Sequence, residues 1–146
     1  MSTHGRTKLN AVMPLPFVTP GTAPFWEGGA QGKLLISRCS NCSWWIHPPG
    51  PICPNCRSRD VLPTPASGKG AVYSYTIAVH QFHPAFPTPY VLGVVTLEEQ
   101  DNLRIYGILR DVPPDDVYIG LPVQIAFRRV DRIYLMEFLP AGRVSA

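Results

Sequence analysis

Charge is scarce in this 146-residue chain: Asp, Glu, Lys and Arg together make up 16% of it, against about 25% in ordinary soluble domains. The hydrophobic share of 45% is ordinary, so the shortage of charge does not make the chain a disordered tail. Thirteen basic residues against ten acidic ones leave a formal charge of +3, only a faint pull toward anionic partners. No apolar run approaches the ~20 residues that a membrane span needs, and the apolar stretch at 11–18 is broken by Pro14 and Pro16. The expectation is a protein off the membrane, without a cleaved export signal and cytoplasmic by default. Uninterrupted backbone is missing as well. Proline (17) and glycine (12) make up a fifth of the chain, against about 12% in average usage, which argues against a coiled coil or a bundle of long helices. No G-x-S-x-G or P-loop pattern occurs, and the acid pairs Glu98-Glu99 and Asp115-Asp116 fall in turns, where solvated carboxylates are the rule. An independent enzyme is therefore not the expected reading.

What is present divides the chain into three stretches. Residues 1–21 mix proline, glycine and short apolar pieces without a period and read as an extended arm. Residues 22–62 open on a short helix, with Thr22 at its N-cap and Pro24 in its first turn, where a missing N–H costs nothing. Gly28, Gly29 and Gly32 end that helix early, and 33–39 reads as a strand entering a cysteine-rich region. After a linker at 63–68, residues 63–146 carry strand signals with period-two alternation. The expected strands are 70–79, 90–97, 103–109, 122–130 and 133–139, with Tyr73, Tyr75, Ile77 and Val79 on one face of the first. A polar turn spans 98–102, and a longer loop at 111–120 has room for one helical turn. Five strands with a long connection between the third and fourth match the OB-fold barrel, with an SH3-like barrel as the alternative. The predicted class is thus mainly β: a short N-terminal helix, a cysteine-rich region entered by a strand, then a five-stranded OB-fold barrel.

The strongest local signal is a repeated pair, Cys39-x-x-Cys42 and Cys53-x-x-Cys56, separated by ten residues. Each pair can form a tight turn that aims both sulfurs at one point, and two such turns supply the four thiolates of a tetrahedral site. Arg38, Arg57 and Arg59 lie close enough in sequence to offset the site's negative charge. A redox dithiol or two disulfides are the competing readings. With four thiolates the metal shell is complete, so the expected cofactor is one structural Zn2+ per chain, and His47, between the pairs, is read as a bystander.

A short N-terminal helix, a rubredoxin-like zinc ribbon and a five-stranded OB-fold barrel in this order resemble the acyl-CoA-associated zinc-ribbon/OB-fold family, long catalogued as a domain of unknown function. The resemblance rests on Pro24-Phe25-Trp26-Glu27 in the helix, Arg38-Cys39-x-x-Cys42 and Pro48-Pro49-x-x-x-Cys53-Pro54-x-Cys56 in the ribbon, Gly68-x-Gly70-x-Val72-Tyr73-Ser74-Tyr75-Thr76 opening the barrel, and Ile119-Gly120-x-Pro122-Val123 before the fourth strand. Gly28-Gly29 departs from it, since such proteins usually carry better helix formers there. The resemblance implies an accessory subunit that pairs with a thiolase-fold enzyme, a thiolase or a thiolase-like aldolase, and helps bind or channel an acyl-CoA thioester, in lipid or steroid metabolism. The chemistry then sits mainly on the partner.

Two groups of side chains are candidates for that role. His80, Phe82, His83, Phe86 and Tyr90 lie on a Pro-rich loop between the first two barrel strands, where OB ligands bind, and are candidates for an acyl-CoA channel. The alternative is that Phe82 and Phe86 cap the barrel core. Phe17, Phe25, Trp26, Trp44 and Trp45 are more large aromatics than a small ribbon can bury and are candidates for a partner interface. Their alternative role is the joint between ribbon and barrel. The rival function is single-stranded nucleic-acid binding, with Tyr73, Tyr75 and Tyr106 as stacking platforms. It is disfavoured because Arg104, Arg110, Arg128, Arg129 and Arg132 form no dense basic tract.

Overall fold

The computed structural model describes residues 13–142. The first twelve residues of the expected arm lie outside the described residues, and 13–19 carry neither helix nor strand.

Helix α1 (Ala23–Glu27) is a single turn with Thr22 at the N-cap and a proline in the first positions. The Thr22 hydroxyl does not cap it. It turns back and accepts the Thr19 N–H at 2.9 Å. A 3-10 turn (Gly28–Gln31) follows and ends at Gly32, whose φ of 67° is the left-handed conformation that glycine tolerates. A Cβ on Gly29 would stand 2.4 Å from Cβ of Tyr134. The glycine that weakens the helix is thus what lets its end lie directly on the barrel.

The ribbon is a three-stranded antiparallel sheet of β1 (Leu34–Cys39), β2 (Trp45–Ile46) and β3 (Val61–Ala66), in the order β2-β1-β3. The segment read as a linker at 63–68 is therefore largely strand. Pro63 and Pro65 fall on the sheet's edge, opposite Ser37 and Leu35, where a proline's missing N–H need not cost a ladder bond.

The barrel comprises β4 (Lys69–Ala78), β5 (Tyr90–Leu97), β6 (Arg104–Leu109), β7 (Pro122–Val130) and β8 (Ile133–Pro140). Their order β4-β5-β6-β8-β7 closes on itself, with β6 and β8 parallel. This is the OB topology, and the long third-to-fourth connection carries one 3-10 turn (Pro114–Asp116). The expected single face of Tyr73, Tyr75, Ile77 and Val79 is broken by a β-bulge between Val72 and Ser74. Val72 points into the core, while Tyr73 is displaced outward and Tyr75 stays half-buried.

Inward residues of the barrel, among them Val72, Val95, Leu97, Ile105, Val123 and Phe138, form one core cluster that also contains Leu34, Ile36 and Trp45 of the ribbon. Ribbon and barrel thus share a single core. Gln100, in the turn between β5 and β6, locks the joint: its side-chain oxygen accepts the Trp45 N–H at 3.0 Å and its amide donates to the Trp45 carbonyl at 2.9 Å. On β8 the buried Glu137 carboxylate pairs with Arg110 at 2.7 Å.

Candidate metal centre and apolar groove

The two cysteine pairs occupy equivalent turns. Ser43 donates its N–H to the Cys39 carbonyl and Arg57 donates its own to the Cys53 carbonyl, both at 2.9 Å. Both Ser43 and Arg57 adopt positive φ, 66° and 65°, so the two knuckles carry the same backbone shape as well as the same spacing. They bring four sulfurs together: Cys39 to Cys56 and Cys42 to Cys53 are each 3.6 Å apart, and all four sulfurs lie within 4.8 Å of one another. A disulfide would need about 2.05 Å, so the disulfide alternative does not describe this cluster. Four sulfurs placed tetrahedrally at about 2.3 Å from a metal stand about 3.8 Å apart, close to the spacing seen. The residues therefore fit a bound metal ion.

Sequence reasoning missed the residues that support these ligands. Asn41 donates its amide to the Cys56 sulfur and Asn55 donates to the Cys42 sulfur, each at 3.5 Å. Each asparagine thus serves the opposite knuckle. The signal was present as the same Asn before the second cysteine of both pairs. The Asn55 amide is the largest influence on Cys42 and pushes its thiol down to about 6. The Asn41 amide likewise lowers the Cys56 thiol. Both therefore favour the thiolate a metal needs.

The second feature is an apolar groove of about 450 Å3, within the range of small-molecule pockets. Its floor is the outer face of the barrel, with Leu92, Tyr106, Ile108 and Leu135. Its walls are Phe25 and Trp26 of α1, the His47-Pro48-Pro49 loop, Met13-Pro14, and Phe86 from the loop after β4. His47, read as a bystander at the metal centre, stands outside the four-sulfur cluster and lines this groove instead. Its ring lies 4.8 Å from that of Phe25, and burial lowers its pKa below the usual value, so the wall presents a neutral imidazole. Among the described residues, no Asp, Glu, Lys or Arg lines the groove. The signal for its floor was faint: in 90–97 and 103–109 the outward positions Leu92, Val94, Tyr106 and Ile108 are apolar like the inward ones, a pattern that marks a strand covered on both sides.

The candidate channel residues are divided. Phe86 reaches the groove, with His83 and Tyr90 behind it at ring separations of 5.8 Å and 6.3 Å. His80 and Phe82 pair with each other at 4.6 Å, away from the groove lining, and Phe82 is 83% exposed, so it does not cap the core. The candidate interface aromatics are divided too. Phe17 is 87% exposed, Phe25 and Trp26 stand half-buried in the groove wall, and Trp44 packs beside the cysteine cluster. Trp45 corrects the expectation: at 7% exposure its ring belongs to the joint between ribbon and barrel.

A ribbon with two cysteine knuckles that shares its core with a closed five-stranded barrel defines a zinc-ribbon/OB-fold protein. Residues 26–61 match the family described as "ChsH2, rubredoxin-like zinc ribbon domain", and residues 63–128 match "ChsH2, C-terminal OB-fold domain". The chain belongs to this family, also known as DUF35. It is 40% identical over 135 residues to a probable enoyl-CoA hydratase alpha subunit of Thermomonospora curvata, matching 92% of this chain but only 42% of that relative's length. It is 42% identical over 109 residues to a DUF35 domain-containing scaffold protein of Methanocaldococcus jannaschii, covering 72% of this chain and 75% of the relative. Among solved structures, a chain of the Ltp2-ChsH2(DUF35) aldolase superposes with a TM-score of 0.80 at 39% identity, over 87% of this chain and 99% of that one.

Proposed function

We propose that this chain is a non-catalytic accessory subunit that binds a thiolase-fold enzyme and helps seat that enzyme's acyl-CoA substrate. The observation that carries the reading is the likeness to a whole chain of an aldolase assembly, complete over 99% of that chain. A relative named as a subunit of an enoyl-CoA hydratase supports the thioester chemistry. The chain's own groups support a scaffold role: its only four cysteines converge on one centre, and a four-thiolate shell leaves no position for substrate. We assign zinc to that centre. It acts as a staple for a ribbon whose own apolar core is small, so binding contributes directly to folding.

The test is affinity isolation from the native host, followed by reconstitution with the thiolase-fold enzyme that co-purifies; the absence of any such enzyme would count against the reading. Thioester cleavage or condensation is expected to need this chain, or to be stimulated by it, while the chain alone shows no turnover. A partner fully active without it, or steady turnover by the isolated chain, would overturn the reading. Metal analysis should return one zinc per chain, and Cys39→Ser should lower the folded yield.

A further inference from the structure

OB barrels bind ligands across their second and third strands, here β5 and β6. On the outward side of these strands, Leu92 is paired with Ile108, Val94 with Tyr106, and Thr96 with Arg104. The face therefore has a direction. At Leu92 and Ile108 it forms the floor of the apolar groove. Four residues further along β6, about 13 Å at the rise of a strand, it ends in a cation.

That cation is held in place but electrically unspent. The Arg104 guanidinium lies 3.8 Å above the centre of the Tyr73 ring, which the β-bulge in β4 has displaced outward. No carboxylate pairs with Arg104 among the described residues, and its Nε is buried without a hydrogen-bond partner. Arg110, by contrast, is committed to Glu137. A ligand matching this face has an apolar end for the groove and an anionic, ring-bearing end for the Arg104–Tyr73 pair, joined by a spacer that passes Tyr106, which is 70% exposed. A short carboxylic acid cannot span it. An acyl thioester of coenzyme A has that build: acyl chain, pantetheine arm, then phosphates and adenine.

We propose that Arg104, supported on Tyr73, is the anchor for the nucleotide end of an acyl-CoA whose acyl chain lies in the groove. The proposal rests on the reading of the chain as an acyl-CoA accessory subunit and assigns that role to particular residues. Arginine suits the task because it can bind phosphate through paired N–H groups while its flat face stays on an aromatic ring.

The experiment is calorimetric titration of the zinc-loaded full chain with decanoyl-CoA, decanoyl-pantetheine and free CoA. Decanoyl-CoA is expected to bind most tightly. Arg104→Ala should weaken decanoyl-CoA about tenfold and leave decanoyl-pantetheine unchanged, as loss of a phosphate contact requires. Arg104→Lys should retain part of the difference, and Ile108→Glu should abolish binding of both acyl ligands, with circular dichroism and zinc content unchanged in every variant. Arg104→Ala weakening both acyl ligands equally, or neither, would overturn the proposal. So would equal affinity for CoA and decanoyl-CoA, absence of any binding, or displacement of decanoyl-CoA by a ten-residue oligothymidylate at equal affinity. If these titrations succeed while no thiolase-fold enzyme depends on the chain, the accessory-subunit reading fails and the binding site stands.

Discussion

Replacing Gln100 by Ala tests whether ribbon and barrel form one cooperative unit. The amide side chain bonds both backbone groups of Trp45, at 3.0 Å and 2.9 Å, and Trp45 belongs to the common core at 7% exposure. Each lost bond costs about 1 kcal/mol when water can take its place and up to about 3 kcal/mol when it cannot. At this partly buried joint the expected loss is about 2–3 kcal/mol. For a domain of this size that corresponds to a fall in Tm of roughly 6–10 °C. Gln100→Glu should be as damaging. It keeps an acceptor for the Trp45 N–H but turns a carboxylate toward the Trp45 carbonyl, where the amide had donated. The assay is thermal and urea unfolding of the zinc-loaded chain, followed both by Trp fluorescence and by far-ultraviolet circular dichroism. Both probes should move together, as a shared core demands. A shift below about 0.5 kcal/mol, within the range of ordinary surface substitutions, would refute the reasoning, as would two separate transitions in the wild-type protein.

Asn55→Ala and Asn41→Ala should each weaken zinc about 10- to 100-fold, the range for lost outer-shell support, in competition with a chromogenic chelator; unchanged affinity would show that the amide contacts to Cys42 and Cys56 contribute nothing. His47 has a folded-state pKa below its ordinary value, so its unfolded form binds the proton first. Its contribution is present above about pH 6.5 and is lost as pH falls below that toward the folded value. His47→Phe should flatten this part of the stability profile relative to wild type between pH 7.5 and 5.0, and parallel profiles would refute it. Gly29→Ala should cost about 1–3 kcal/mol in urea unfolding despite alanine's better helix propensity, because its Cβ would stand 2.4 Å from Tyr134. A stabilised variant would show that the helix end yields freely.

What was legible in the sequence was whatever has a local cause. The repeated cysteine pairs, the glycines that end α1, and the alternation and turns that set the barrel order each act within a few residues. The features that were missed depend on distant segments meeting. Pro63 and Pro65 read as linker residues, yet an edge position beside β1 lets both stand in a strand. Tyr73 and Tyr75 share a parity that predicts one face, and a single extra residue in β4 separates them. Trp44 and Trp45 look alike in sequence, but only Trp45 meets the core of the barrel. The groove gathers residues from α1, the ribbon loop, the loop after β4 and three barrel strands. No local pattern encodes that convergence.

The same convergence explains how a small metal ribbon can shape a face of the barrel. An OB barrel alone would leave the outward residues Leu92, Ile108 and Leu135 open to water. Here Phe25 and Trp26 stand over that face, and their helix is held by two contacts: Gly29, in the turn that follows it, closes against Tyr134 of β8, and Phe25 at its middle packs against His47 of the ribbon loop. His47 is the second residue after Trp45, so the position of that wall is set by the joint that Gln100 holds. The knuckles in turn fix the chain on either side of 43–52, because Cys42 and Cys53 meet at the four-sulfur centre. The centre therefore serves the groove without touching its lining. It holds the ribbon loop against α1, and α1 against the strands on which a ligand would lie.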